Sequence, residues 1–164
     1  LIEYGADPGT PTMKAPSRRF AFEPAGSATD ESGLPPVETG GPDVFPIHAA
    51  TGHAYGTGFA GVSHRHAPGS WLTAVTYLVE ELGADVDARD ANGFTPLHWA
   101  ASRGDNEVIN YLVSKGADAT AVSRKGHTTA DMANGPVQRI SPFPETIALL
   151  ESLGSKNNNN CVSC

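Results

Sequence analysis

Apolar residues recur at helical spacing in three separate stretches of this chain. Leu72, Val75, Leu78, Val79 and Leu82 form one stripe; Val108, Ile109, Leu112 and Val113 a second; Ile147, Leu149, Leu150 and Leu153 a third. Positions three and four apart share one face of an α-helix, so each stretch predicts an amphipathic helix. A shorter segment opened by threonine precedes the second and third stripes, Thr95-Pro96-Leu97-His98 and Thr128-Thr129-Ala130-Asp131. Thr95 suits an N-cap, and Pro96 suits the first helical position, where its missing N–H costs nothing. Ala100 and Ala101 are small enough for a second helix to pack close. Gly104 predicts the end of the first helix, and Gly116 the end of the second. Gly93, after Asn92, permits the positive φ of a tight hairpin turn. The unit therefore reads hairpin turn, short helix, longer helix.

The unit repeats. Shifting Asp90–Val122 by 33 residues places Gly93 on Gly126, Thr95 on Thr128 and Ala100 on Ala133. After Asn134 the third copy carries five extra residues, because Glu107 and Leu112 match Glu145 and Leu150. Upstream, Phe45-Pro46-Ile47-His48-Ala49-Ala50 echoes Thr95–Ala100, and Tyr77-Leu78-Val79 echoes Tyr111-Leu112-Val113 after an insertion of 16 residues. Gly5-Ala6-Asp7 echoes Gly83-Ala84-Asp85 and Gly116-Ala117-Asp118, which places Leu1 near the end of the last helix of an earlier, truncated copy.

Gly93, Thr95-Pro96-Leu97-His98, Ala100-Ala101, Gly104, Glu107-Val108-Ile109, Leu112 and Gly116-Ala117-Asp118 carry a pattern that resembles the ankyrin repeat. The resemblance covers roughly residues 1–8, 41–52 and 71–154. The fold class expected is all-α, an ankyrin-repeat solenoid with hairpin-like turns: each two-helix unit cannot bury both apolar faces alone and must stack on its neighbours. The expected organisation is a stub at 1–8, a Pro/Gly-rich insertion at 9–40, a repeat at 41–88 interrupted by a loop at 53–70, a complete repeat at 89–122, a capping repeat at 123–154 and a polar tail at 155–164. The last copy lacks the Thr-Pro-Leu-His pattern and has a more polar outer side, as a terminal repeat facing water requires. No cap is visible at the other end, so the stub is expected to leave apolar surface exposed.

The insertions carry the remaining candidate chemistry. Phe20 and Phe22 are candidates to pin the first one onto the solenoid. Gly56-Thr57-Gly58-Phe59-Ala60-Gly61 matches the dinucleotide fingerprint but lacks the strand before it and the helix opening at it. His53, His64 and His66 offer three imidazoles for zinc or copper, against a plain reading as a polar loop. Cys161 and Cys164 form a C-x-x-C at the end of the tail. Covalent haem attachment needs a His directly after the second Cys, and a thioredoxin-like motif needs a βαβ context. Half a zinc site, a local disulfide, an intermolecular bridge or two plain thiols remain open there. No metal or cofactor is assigned from the sequence.

Composition narrows the function. Lys plus Arg is 11 and Asp plus Glu is 18, a net charge of −7, which argues against binding a nucleic-acid backbone through bulk charge. No window of 18 or more apolar residues exists to span a membrane. Two cysteines make no disulfide framework. The start at Leu1 reads as a cut, and the interrupted repeats and tail lean towards a bacterial exported or periplasmic protein. No Ser-His-Asp spacing, H-E-x-x-H or P-loop is present. The resemblance implies a non-catalytic, monomeric scaffold that binds a partner protein through hairpin tips and first helices along a concave face. Carried over by position, the candidate partner-binding residues are Arg89, Asn92, Phe94, Trp99, Ser102, Arg103, Arg124 and Lys125, with Ala91, Val122 and His127 beside them; Trp99 reads equally as partly buried between neighbouring first helices. Arg103, Arg124 and Lys125 would make a local basic strip. Replacing Trp99 and Arg103 together is expected to abolish capture with the helices intact. The alternatives are a redox or metal-linked protein using the C-x-x-C or the loop histidines, and an appended scaffold on an enzyme whose catalytic part lies upstream.

Overall fold

A computed structural model describes residues 5, 7–16, 30–53, 70–135 and 141–159. Helices α1 (Pro46–Thr51), α2 (Ser70–Glu80), α3 (Pro96–Ala101), α4 (Asn106–Ser114), α5 (Thr129–Asn134) and α6 (Pro144–Ser152) alternate short and long. Among the described residues there is no sheet, only the isolated bridges Met13–Pro42 and Val122–Thr128. The short helices form a row, α1 on α3 and α3 on α5. Each also packs on the longer helix that follows it, and α2 packs on α4. Three helix pairs are thus stacked side by side, as an all-α solenoid requires.

The predicted stripes supply the core. Val75 from α2, Val108, Ile109 and Leu112 from α4, and Leu150 from α6 are fully buried, with Ile47, Leu97 and Met132 from the short helices. Each large aliphatic side chain removed from water stabilises by about 1.5–3 kcal/mol. Leu82 falls beyond the end of α2, in the turn that follows. The capping logic holds: Thr95 Oγ1 accepts from His98 N–H at 3.4 Å, and Thr128 Oγ1 accepts from Asp131 N–H at 3.0 Å.

Three hydrogen bonds recur in register. Thr12 Oγ1, Asp90 Oδ1 and Ser123 Oγ accept from the N–H of Val44, Phe94 and His127 at 3.0, 3.0 and 3.1 Å. Backbone bonds from the N–H of Thr12, Asp90 and Ser123 to the carbonyls of the same partners close each hairpin at 2.9, 3.0 and 2.9 Å. Asp7, Asp85 and Asp118 each accept from the N–H two residues on, at 2.8, 2.9 and 2.8 Å. In the second and third hairpins the paired residues lie 4 apart in sequence, but in the first they lie 32 apart. The long insertion therefore opens out of the tip of the first hairpin. Its base continues as paired backbone, Lys14 N–H to Gly41 O at 2.8 Å and Gly40 N–H to Lys14 O at 2.9 Å.

The start of the tail is held down. Ser155 Oγ accepts from Ala130 N–H at 3.0 Å and from Thr129 Oγ1 at 2.8 Å. Asn158 donates its backbone N–H and its Nδ2 to the two carboxylate oxygens of Asp131, at 2.7 and 2.8 Å. These contacts give the N-terminal end of α5 polar partners.

Candidate functional site

Neighbouring hairpins are joined through two buried histidines. His48 Nδ1 accepts from Phe45 N–H at 3.0 Å, and its Nε2 donates to Ala88 O at 2.9 Å. His98 repeats this with Thr95 N–H at 3.1 Å and His127 O at 3.2 Å. In each ring the nitrogen facing an N–H donor must be the unprotonated one, which leaves Nε2–H to reach the next unit. Burial pushes both rings towards the neutral form, His48 down to about 4 and His98 down to about 3. Asp131 stands at the equivalent place in the third unit, where its carboxylate accepts from Asn158 of the tail.

The hairpin tips form a continuous row. Arg124 N–H donates to Asn92 O at 3.0 Å. Arg124 Nε donates to Ala91 O at 3.1 Å, and Ala91 N–H donates to Asp43 Oδ1 at 3.3 Å. Arg89 Nη1 donates to Gly93 O and to Val122 O, both at 2.8 Å. Gly93 and Gly126 turn the two tips with φ of +80° and +77°, a region that side-chain-bearing residues rarely adopt.

The sequence-predicted residues divide sharply by exposure. Asn92 and Lys125 are exposed on the tips. Arg89 and Arg124 are half-buried and committed to the carbonyls just named. Phe94, Trp99 and Ser102 are buried, which corrects their placement on an open face. Trp99 packs edge-on against Phe94 at 5.1 Å and His53 at 4.7 Å, and its Nε1–H donates to Asp90 Oδ2 at 3.1 Å. Ser102 Oγ donates to Trp99 O at 2.7 Å. The guanidinium of Arg103 lies 3.9 Å over the Trp71 ring and pairs with Asp105, with its side chain 6% exposed. The physical reason is that α3 is buried all round and takes Trp99 inside, while Arg103, in the turn after α3, bridges Trp71 and Asp105. The basic strip does not form either, because Arg103 faces Trp71 and Arg124 faces Asp30. Of the neighbours considered, Ala91 is buried and Val122 half-buried, while His127 stacks parallel to Phe94 at 6.3 Å.

Asp90 organises the second tip. Its carboxylate accepts from Asn92 N–H at 2.9 Å, Phe94 N–H and Trp99 Nε1–H. Burial nevertheless raises its pKa to about 6, the three donors pulling the other way. Nothing in the sequence singled Asp90 out beyond its place before Asn92-Gly93.

Residues 30–35 were also missed. This segment lies against the second and third tips. Glu31 N–H donates to Arg124 O at 3.1 Å, Arg124 reaches Leu34 O and Pro35 O, and Asp30 pairs with Arg124. The available signal was an acidic, Leu-Pro-containing stretch in a chain whose turn tips carry Arg and Lys.

Among the described residues no group of three or more His, Cys, Asp or Glu side chains could hold a metal ion. His64, His66, Cys161 and Cys164, the G-x-G-x-x-G segment, and Phe20 and Phe22 lie outside the described residues. No helix among the described residues is long and apolar enough to cross a membrane.

Residues 63–128 match the family described as ankyrin repeats (3 copies). The chain is 42% identical over 55 residues to mouse "Protein phosphatase 1 regulatory subunit 27", covering 34% of this chain and 36% of that protein. It is 38% identical over 73 residues to "Tyrosine-protein kinase HTK16" of Hydra vulgaris, covering 43% of this chain and 9% of the kinase. With rat "Protein phosphatase 1 regulatory subunit 12A" it shares 34% over 86 residues, covering 52% of this chain and 8% of that protein. The chain thus spans about a third of the first of these relatives and under a tenth of the other two.

Proposed function

From the premise that this chain carries ankyrin repeats over residues 63–128, we propose that it is a non-catalytic module that binds a partner protein along its row of hairpin tips. The observation that carries this reading is the hydrogen-bonded row itself. Its backbone is fixed by neighbouring units, so the exposed Asn92 and Lys125 stand on a preorganised surface. Preorganisation lowers the ordering cost that association otherwise meets. Two relatives are named as regulatory subunits, which fits a protein partner. The partner-binding residues proposed are Asn92 and Lys125 directly, with Arg89 and Arg124 shaping the surface. Phe94, Trp99, Ser102 and Arg103 support it from below.

The test compares capture of cross-linked partners by the native chain with capture by an Asn92→Ala, Lys125→Glu variant. The variant should lose most of its capture and keep its helical signal and urea midpoint, because exposed substitutions shift stability by only about 0.5 kcal/mol. Trp99→Ala, in contrast, should cost about 3–5 kcal/mol of stability. Undiminished capture by the tip variant would remove the tip assignment. A folded native chain that captures nothing would count against the binding module itself.

A further inference from the structure

The segment that crosses the tips resembles a bound peptide more than a connecting loop. Glu31 joins the tip backbone by donating to Arg124 O at 3.1 Å, in line with the Arg124 N–H to Asn92 O bond at 3.0 Å. The segment then turns: Asp30 Oδ1 accepts from Ser32 N–H at 3.0 Å, and Gly33 follows with a φ of +67°. The Arg124 guanidinium then reads the segment three times. Nη1 pairs with the Asp30 carboxylate and reaches Leu34 O at 3.2 Å, and Nη2 reaches Pro35 O at 2.6 Å. Five donors in a rigid fork suit this combination of carboxylate and carbonyls, which a lysine could not match. One tip glycine leaves room for a side chain of the segment, and the other meets it in ordinary contact. A Cβ on Gly93 would lie 3.4 Å from Leu34 Cδ1, and one on Gly126 would collide with the Glu31 carboxylate. Pro35 and Pro36 favour an extended backbone before docking.

We propose that residues 30–35 are an internal ligand of the hairpin-tip surface, and that this surface selects a partner segment of the same chemistry: an acidic peptide that turns at Ser-Gly and carries a leucine before proline. The tips and the segment are parts of one chain, so the segment competes at the high effective concentration that tethering confers. A partner must displace it, and the native chain is held in a self-occupied state. The inference rests on the tips being the binding surface. It adds the identity of the occupant and the role of the insertion.

The probe is a fluorescein-labelled peptide of sequence Asp-Glu-Ser-Gly-Leu-Pro-Pro-Val, residues 30–37, read by anisotropy. It is titrated into the native chain, into Asp30→Asn, Leu34→Ser, and into that double variant with Arg124→Gln added. The double variant should bind at least about tenfold more tightly than the native chain, as expected once a tethered competitor is weakened. Arg124→Gln should erase this gain. No binding to a double variant with native helical signal and urea midpoint overturns the proposal. So does binding that ignores Arg124→Gln, or that a scrambled peptide reproduces. Hydrogen exchange of the native chain gives a readout that needs no variant. Excess peptide should speed exchange at Glu31 as the internal segment is displaced, and unchanged exchange overturns the proposal. If the peptide fails while partner capture still depends on Asn92 and Lys125, the binding module stands and only the internal-ligand role falls.

Discussion

His98 shows what one residue can do in a stacked array. Its ring satisfies Thr95 N–H within its own unit and His127 O in the next, so it closes a turn and joins two units at once. Those roles require the neutral ring, and burial supplies it. A histidine whose folded pKa is depressed adds stability above its unfolded value near 6.5 and loses that contribution as pH falls towards the folded value. His48 and His98 fall to about 4 and about 3, and His53 and His127 shift the same way through burial. Asp90 opposes them. With its folded pKa raised from 3.8 to about 6, it adds stability at low pH that is lost as pH rises through that window. Two strongly shifted histidines act against one aspartate, so the urea midpoint should drop between about pH 6.5 and about pH 4. A midpoint flat or rising across that interval would show that the histidines are not neutral in the folded chain.

At the scale of elements, long and short helices do different work. The long ones are amphipathic, and their stripes were legible because α4 turns Val108, Ile109 and Leu112 to one face. Leu112 is fully buried in the middle of the stack. Leu112→Ala should therefore cost about 2–5 kcal/mol by opening a cavity that the neighbours cannot refill. Chemical denaturation measures this directly, and an unchanged midpoint would contradict the packing of α4. The short helices are six residues each; α3 and α5 are buried completely, while α1 leaves Ala49 exposed. A helix with no wet face shows no amphipathic period. For that reason the sequence left Trp99 open between an exposed contact and a partly buried one, and it gave no sign that Arg103, in the turn after α3, is covered. The earlier expectation for their joint replacement changes accordingly: capture would fall because the fold weakens.

Among the described residues the helix pairs form a one-dimensional stack in which each pair packs on its neighbours. The central unit, α3 with α4, is packed on both sides, by α1 and α2 and by α5. Its amides, Leu97 to Ala101 and Ile109 to Leu112, should be the slowest to exchange in the chain. Those of α2 and α6 should exchange faster, because end units lose neighbours first. Uniform protection across all three pairs would indicate a single cooperative block. The net charge of −7 is not spread evenly in effect. The insertion places Asp30 against Arg124, so the most basic part of the tips is neutralised from within the chain.

The sequence by itself determined the repeat pattern, the threonine caps and most of the buried face, because these follow from short-range spacing. Thr95-Pro96, Gly93 and the apolar stripes act within one or two turns of chain. The family resemblance, and the coarse function it implies, rested on the same local signals. Only the tertiary structure decided which candidate residues face solvent. Phe94 and Trp99 are covered by groups from other parts of the chain, His53 and His127 among them. The structure alone also decided where the insertion goes. Asp30 and Arg124 lie 94 residues apart in sequence. Their contact exists because stacking brings the first hairpin's insertion across the tips of the second and third units, a distance in sequence that no local pattern encodes.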